Sequence, residues 1–512
     1  MLVARCLIDN KQFDKAAEFL ASHRRDEEAT VLMAEALARA GRGGDAVAAL
    51  ANMTDATARA ALGDLYLRLD RAAEAQQIFD TLLHEDAANP LARTGLGLVE
   101  LKQKRYQPAI DRLEKVRAEI PDDQRVLAAI GSAYASLNNC ERAAEPLRRA
   151  LDLSPSDFAL AKQLASCESK TKHWSAVLAA LRTKTMEEAR DEDATRMVVE
   201  AYAASADLAG AEAYCRWAII ASPANLTAHL SLANLLYTAK RVREAYAEYA
   251  EAVKLKPDQP EIQERMGDIS LEQKDPSDAR ARYEAAAKNS DTARLKLARL
   301  CFASDDLKCV TQAVSGVTSP ALAVQAKTLR ARVEYKQENW DQAGTLAGDA
   351  LKGDPDNTTL LRIAAGVALR EGKPAEAAGF LERARKLDPA NKDFVYALAG
   401  VYAANDAFKD RLASGAAMLK AYLDTQPDAE GYLLLGGIDR KLGDTANAQL
   451  NFEQAYKSAA QATDSASLFN LALACVELGK TAEMAASREK LAATDPAKAA
   501  ALDAEIERRK KP

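Results

Sequence analysis

Apolar residues recur along the chain at steps of three and four, and the phase of that recurrence resets at regular intervals. Residues 124–157 show one cycle. Val126, Leu127, Ile130, Ala133, Tyr134 and Leu137 form one apolar stripe of a predicted helix. Asn138 and Asn139 break it. Ala143, Ala144, Leu147, Ala150, Leu151 and Leu153 form the stripe of a second helix. Ser154-Pro155-Ser156-Asp157 ends that helix, because proline lacks an amide donor and disfavours helix at the residue before it. Similar stops stand at Asp354-Pro355-Asp356-Asn357 and Asp388-Pro389-Ala390-Asn391, and the final Asn of each is placed to cap the next helix.

The cycle repeats in register. Leu96-Gly97, Ala109, Leu113 and Pro121 are matched by Ile130-Gly131, Ala143, Leu147 and Pro155, and by Leu232-Ala233, Ala245, Tyr249 and Pro257. The step from Gly63 to Gly97, and from Gly97 to Gly131, is 34 residues. It continues through Ala165, Val199, Ala233 and Gly267, and Ala331, Ala365 and Ala399 restore it later. A glycine inside a helix costs about 1 kcal/mol, so close packing of the paired helix must offset it. Tyr66, Tyr134, Tyr202 and Tyr402, near the ends of first helices, are expected to fill the space beneath the following turn.

This pattern resembles the tetratricopeptide repeat family over nearly the whole chain. Residues 56–89 carry it well, as Leu62-Gly63-Asp64-Leu65-Tyr66 followed by Ala75 and Phe79. The resemblance implies an all-α fold: an α-solenoid, wound as a right-handed superhelix of about 14–15 helix pairs. It also implies a concave groove lined mostly by first helices, suited to an extended peptide or a partner's helix.

The register slips in three places. Residues 288–322 match poorly, with Val310, Val314, Val317 and Ser315-Gly316, and predict a hinge or a tight loop. This divides the array into 1–290, whose first unit is partial, and 291–496. Three extra residues near Ala407-Phe408-Lys409-Asp410 predict a longer loop. Residues 497–512 predict a capping helix, with Ala499, Leu502 and Ile506 inward and Glu507-Arg508-Arg509-Lys510-Lys511 in solvent. At the front, Phe13, Ala16, Ala17, Phe19 and Leu20 read as a second helix, and only Met1 to Ile8 remain for its partner. The natural chain is therefore expected to extend upstream, with an anchor or export signal.

Composition narrows the chemistry. Among 512 residues, aromatics make up 5% and hydrophobics 48%, so the core must be built mainly from Ala and Leu. A net charge of −6 argues against general nucleic-acid binding. No run of 18 apolar residues exists to span a bilayer, and the first residues do not form a secretory signal. Seven cysteines with no Cys-x-x-Cys pair predict neither a disulfide framework nor a zinc site. Cys140, Cys215, Cys301 and Cys475 fall on apolar stripes and read as buried thiols, which points to a reducing, cytoplasmic setting. Asn52, Asn225 and Asn357 begin Asn-x-Thr triplets, but the last two stand where helices start and read as caps. His23, His84, His173 and His229 are scattered. Gly95-Leu96-Gly97 lacks the third glycine of a dinucleotide loop, and Gly479-Lys480-Thr481 has Ala474 where a phosphate loop needs glycine. No catalytic residue, cofactor or metal is expected, and the chain does not read as an enzyme.

The groove positions offer partial signals. A Lys/Asn clamp for a C-terminal carboxylate is incomplete, since Lys162 is followed by Ser166, and the next units offer Arg196 with Glu200, then Leu230, Asn234 and Tyr237. An asparagine ladder is absent too, with only Asn234 and Asn470 suitably placed. Two stretches remain as partner-binding candidates: Lys162, Arg196, Asn234 and Tyr237; and Arg332, Tyr335, Arg362 and Tyr396. The second pairs arginine forks with aromatic faces, as binding hot spots do. The expected role is a protein–protein interaction scaffold. The alternative is an accessory subunit of a bacterial envelope or polysaccharide-export assembly, periplasmic or membrane-tethered through upstream sequence.

Overall fold

The computed structural model describes the chain except residues 24–25, 182–184, 462 and 511–512. Lys511 of the expected cap and the side chains of His23 and Lys510 lie outside the described residues. Every regular element among the described residues is helical, with 32 α-helices and two 3₁₀ segments. They form two compact units, Met1–Asp258 and Gln259–Pro512. The 290/291 boundary read from the sequence falls inside the second.

Within each unit the helices alternate as first and second members of pairs, such as Gln124–Ser136 with Cys140–Leu153. The caps explain where each pair begins. Asp55, Asn89, Asp123, Asp157, Asp191 and Asn225 each accept the amide three residues on, satisfying a donor that the helix leaves free. Asn225 and Asn357 are caps, as expected. The turn between paired helices is equally regular. Asp70, Lys104, Asn138, Lys172, Ala206, Lys240 and Lys274, each 34 residues after the last, all have positive φ.

The small residues sit where the pairs press together. A Cβ on Gly131 would lie 2.5 Å from Leu147 Cγ, on Gly97 2.6 Å from Leu113, and on Gly63 2.5 Å from Phe79. Two of the tyrosines expected under the turns meet the start of the second helix: the Arg71 guanidinium lies 4.6 Å from the Tyr66 ring centroid and Arg142 4.5 Å from that of Tyr134.

Three irregularities differ from expectation. Cys301 is not a free thiol: it is bonded to Cys309 across the turn between Asp291–Ala303 and Leu307–Ser315. Periodicity placed Cys301 on a core stripe, where it is indeed fully buried, but could not show a partner in a turn. Residues 288–322, expected as a hinge or a tight loop, contain a short helix pair. Asp291 accepts the amides of Thr318 at 2.9 Å and Ser319 at 2.7 Å, fastening the end of the unit to its start. The insertion near residue 407 is a 3₁₀ segment, Asp406–Arg411, that buries Phe408 with its ring 5.4 Å from Tyr402. The final helix, Pro496–Lys510, caps the array by burying Ala499, Leu502 and Ile506. No helix among the described residues is long and apolar enough to cross a membrane.

Candidate partner-binding groove

First helices touch the first helices of the next pair as well as their own partners. In the first unit Glu27–Arg39, Ala56–Arg68, Pro90–Lys102 and Gln124–Ser136 are in contact in series, and in the second Asp291–Ala303, Ala323–Lys336 and Thr358–Arg370 are. Each unit therefore presents a row of first helices, and side chains at matching register positions line up along it.

In the first candidate stretch the charges are already neutralised. Lys162 Nζ donates to Asp191, the cap of the next first helix, at 2.6 Å and to Asp193 at 3.4 Å. These hydrogen bonds hold the Lys162 ammonium above its ordinary value. Arg196 bonds Glu200 at 3.2 Å and Asp193 at 3.4 Å on its own helix. Asn234 accepts the Tyr249 hydroxyl, and Tyr237 is half-buried.

The second stretch divides. Tyr396 is buried; its hydroxyl donates to Asp428 at 2.9 Å and its ring meets Tyr422 edge-on at 5.6 Å. It packs the next pair onto its own. Tyr335 is half-buried against Trp340, ring centroids 5.2 Å apart. Arg332 and Arg362 are brought together on neighbouring first helices. Arg332 stacks over Phe302 at 3.9 Å from the ring centroid. Its guanidinium is held below its ordinary value, chiefly by burial and further by the Arg362 charge. Neither arginine has an ion-pair partner among the described residues.

The register explains this. Arg362 occupies the same helix position as Lys162, and the cap of the next first helix is Asn391, neutral where the corresponding cap for Lys162 is Asp191. On its own helix Thr359 and Gly366 stand where Arg196 has Asp193 and Glu200. Two guanidiniums thus share a face with no carboxylate between them, an arrangement that costs free energy until an anion arrives.

Sequence reasoning missed the rest of this patch. Arg299 donates to Gln325 at 2.8 Å, Arg370 lies 4.9 Å over Trp340, and Lys336 pairs with Asp305 at 2.5 Å. The signal was present, since Phe302, Lys336 and Arg370 all fall near the ends of successive first helices. Also missed was a recess of about 530 Å³ in the first unit, lined in part by Asp64, Leu67, Arg68, Leu98 and Arg125.

A row of paired helices carrying its side chains on a shared inner register defines a helical-repeat protein. The tetratricopeptide repeat family model matches residues 60–123, 107–158, 197–260 and 328–392, so these stretches carry tetratricopeptide repeats. No curated protein matches the sequence. Solved structures similar to it include a tetratricopeptide repeat protein from Parabacteroides merdae, 17% identical, covering 55% of this chain and 98% of that one, TM-score 0.30. Yeast Tom70 is 14% identical, covering 83% and 96%, TM-score 0.32. Cut9–Hcn1 of the APC/C is 15% identical, covering 96% and 97%, TM-score 0.35. The repeats make the chain a protein-interaction scaffold.

Proposed function

We propose that the scaffold holds an extended acidic segment of a partner protein along the first helices of its second unit, anchored by Arg332 and Arg362. The observation that carries this reading is the pair of guanidiniums without carboxylates. Arginine presents a rigid fork to a carboxylate, and Phe302 and Tyr335 supply apolar faces beside it. No catalysis belongs to this role. The test is photo-crosslinking in the native host, with a photoreactive residue at Gln325 or Lys336. The expected result is one partner crosslinked from both positions and lost in an Arg332→Glu/Arg362→Glu variant. Crosslinks unchanged by the charge reversal would refute the anchor.

A second reading has its own observation. The Cys301–Cys309 bond suits an oxidising compartment, and so favours placing the scaffold in a bacterial envelope assembly over a cytoplasmic one. Trapping thiols in intact cells before lysis separates the two: a blocked Cys309 supports the envelope, an alkylated one the cytoplasm.

A further inference from the structure

The first unit carries a different device on its inner face. Arg125, in the first turn of Gln124–Ser136, donates to Asp64 Oδ1 at 2.6 Å. Asp64 belongs to Ala56–Arg68, two pairs earlier, so the bridge spans the intervening helix Pro90–Lys102. Recesses of about 530 Å³ and about 260 Å³ both have Asp64, Arg68 and Arg125 in their walls. The bridge therefore forms part of the wall of both.

The surroundings of the larger recess are one-sided. Leu67, Leu98 and Leu101 give it an apolar lining. Arg68, Lys102, Lys104 and Arg125 contribute four positive charges against Asp64 alone. Lys102 is spoken for by Asp70 at 3.0 Å, whereas Arg68 and Lys104 form no ion pair among the described residues. Burial holds the Asp64 carboxyl above its ordinary value even though Arg125 and Arg68 both oppose that shift. Burial thus opposes the Asp64 charge, while the Arg125 side chain is 42% exposed and so within reach of a competing anion.

We propose that this groove takes an acidic peptide segment bearing a leucine-like side chain, and that the Asp64–Arg125 bridge is the latch it displaces. The apolar side chain seats on Leu67, Leu98 and Leu101. A carboxylate of the segment takes Arg125 and Arg68, and Asp64 is released from the bridge. While closed, the latch lowers the apparent affinity by the fraction of molecules in which it is open. The proposal rests on the groove reading above but uses other residues in the other unit.

The experiment uses the full chain and fluorescein-labelled synthetic peptides in which leucines alternate with aspartate and glutamate. Control peptides carry lysine or glutamine at the acidic positions. Fluorescence anisotropy gives the affinities, and thermal melts confirm folding. The acidic peptide is expected to bind, the lysine peptide not. Asp64→Asn should tighten binding about five-fold by removing the internal competitor. Arg125→Gln and, independently, Arg68→Gln should weaken it about ten-fold. Arg332→Glu/Arg362→Glu should leave this site unchanged. Binding that Asp64→Asn leaves alone or weakens would overturn the latch. Binding lost only in the Arg332/Arg362 variant would overturn it too, while sparing the anchor in the second unit. If none of the peptides binds, the latch groove falls, while the Arg332/Arg362 anchor is decided by the crosslinking described above.

Discussion

Ala206 lies in the left-handed region, with φ of 56°, at a turn where other repeats place Asn138, Gly372 or Gly443. An L-residue with a Cβ is strained there by about 1–2 kcal/mol, and glycine is not. Glycine gains back flexibility in the unfolded chain, which costs about 0.4–1 kcal/mol. Ala206→Gly is therefore expected to stabilise the protein by roughly 0.5–1 kcal/mol, read as a raised midpoint in urea. Gly131→Leu should act oppositely. Its side chain must displace Leu147, at an overpacking cost of about 1–3 kcal/mol, and a variant melting like the parent would deny the close contact. The small-residue register was legible in sequence because one steric demand recurs in every pair. The fates of Lys162 and Tyr396 were not, because their partners Asp191 and Asp428 belong to the following repeat. Reading each inner-face cation against the cap of the next repeat would have separated Lys162 from Arg362.

Among elements, the pair spanning residues 291–315 shows what periodicity cannot tell. Its second helix, Leu307–Ser315, is only 9 residues long, and short apolar contact predicts looseness. Two tethers compensate: the Cys301–Cys309 bond and the hydrogen bonds from Thr318 and Ser319 to Asp291. Neither has a hydrophobic signature. The cysteines are separated by 8 positions, and closing a loop of that size removes about 2–3 kcal/mol of unfolded-state entropy. Cys309→Ser should lose a stability of that order, and a non-reducing peptide map of the parent should show the two cysteines linked. The second tether is pH-dependent. The backbone amides of Ser319 and Thr318, with Arg294, hold the Asp291 carboxyl down at about 2. A depressed carboxyl stabilises the fold fully above its ordinary value near 3.9 and loses that contribution as pH falls toward the folded value. Protection of the amides of residues 317–322, taken relative to their intrinsic exchange rates, should therefore fall between pH of about 4 and about 2, and Asp291→Asn should show that lower protection already at neutral pH.

At the scale of the whole chain, a repeat array is held together by neighbours, so the consequence of damage at one end should fade with distance. The final helix, Pro496–Lys510, tests this. It covers Leu491, which is fully buried, with Leu502 and Ile506 from its own inner face. It is also pinned by Arg488 to Asp503 at 2.6 Å and by Arg509 to Glu477. Its apolar stripe and charged outer face were legible in sequence, because a cap needs one buried side and one solvated side and nothing more. Which helices it would pin was not, since those charges reach across pairs. Ending the chain at Asp495 would bare Leu491 and Leu473 and leave the buried Glu477 carboxylate without Arg509. The expected result is loss of amide protection in Thr481–Thr494 and then Ser465–Glu477, a smaller loss in Thr445–Ala459, and none in the unit Met1–Asp258. The truncated chain should also self-associate through the bared leucines, and restoring solubility by Leu491→Gln would assign the association to that face. Hydrogen exchange mass spectrometry reads the gradient directly. Uniform loss of protection along the chain would mean that the array folds as one cooperative body and not by nearest-neighbour packing.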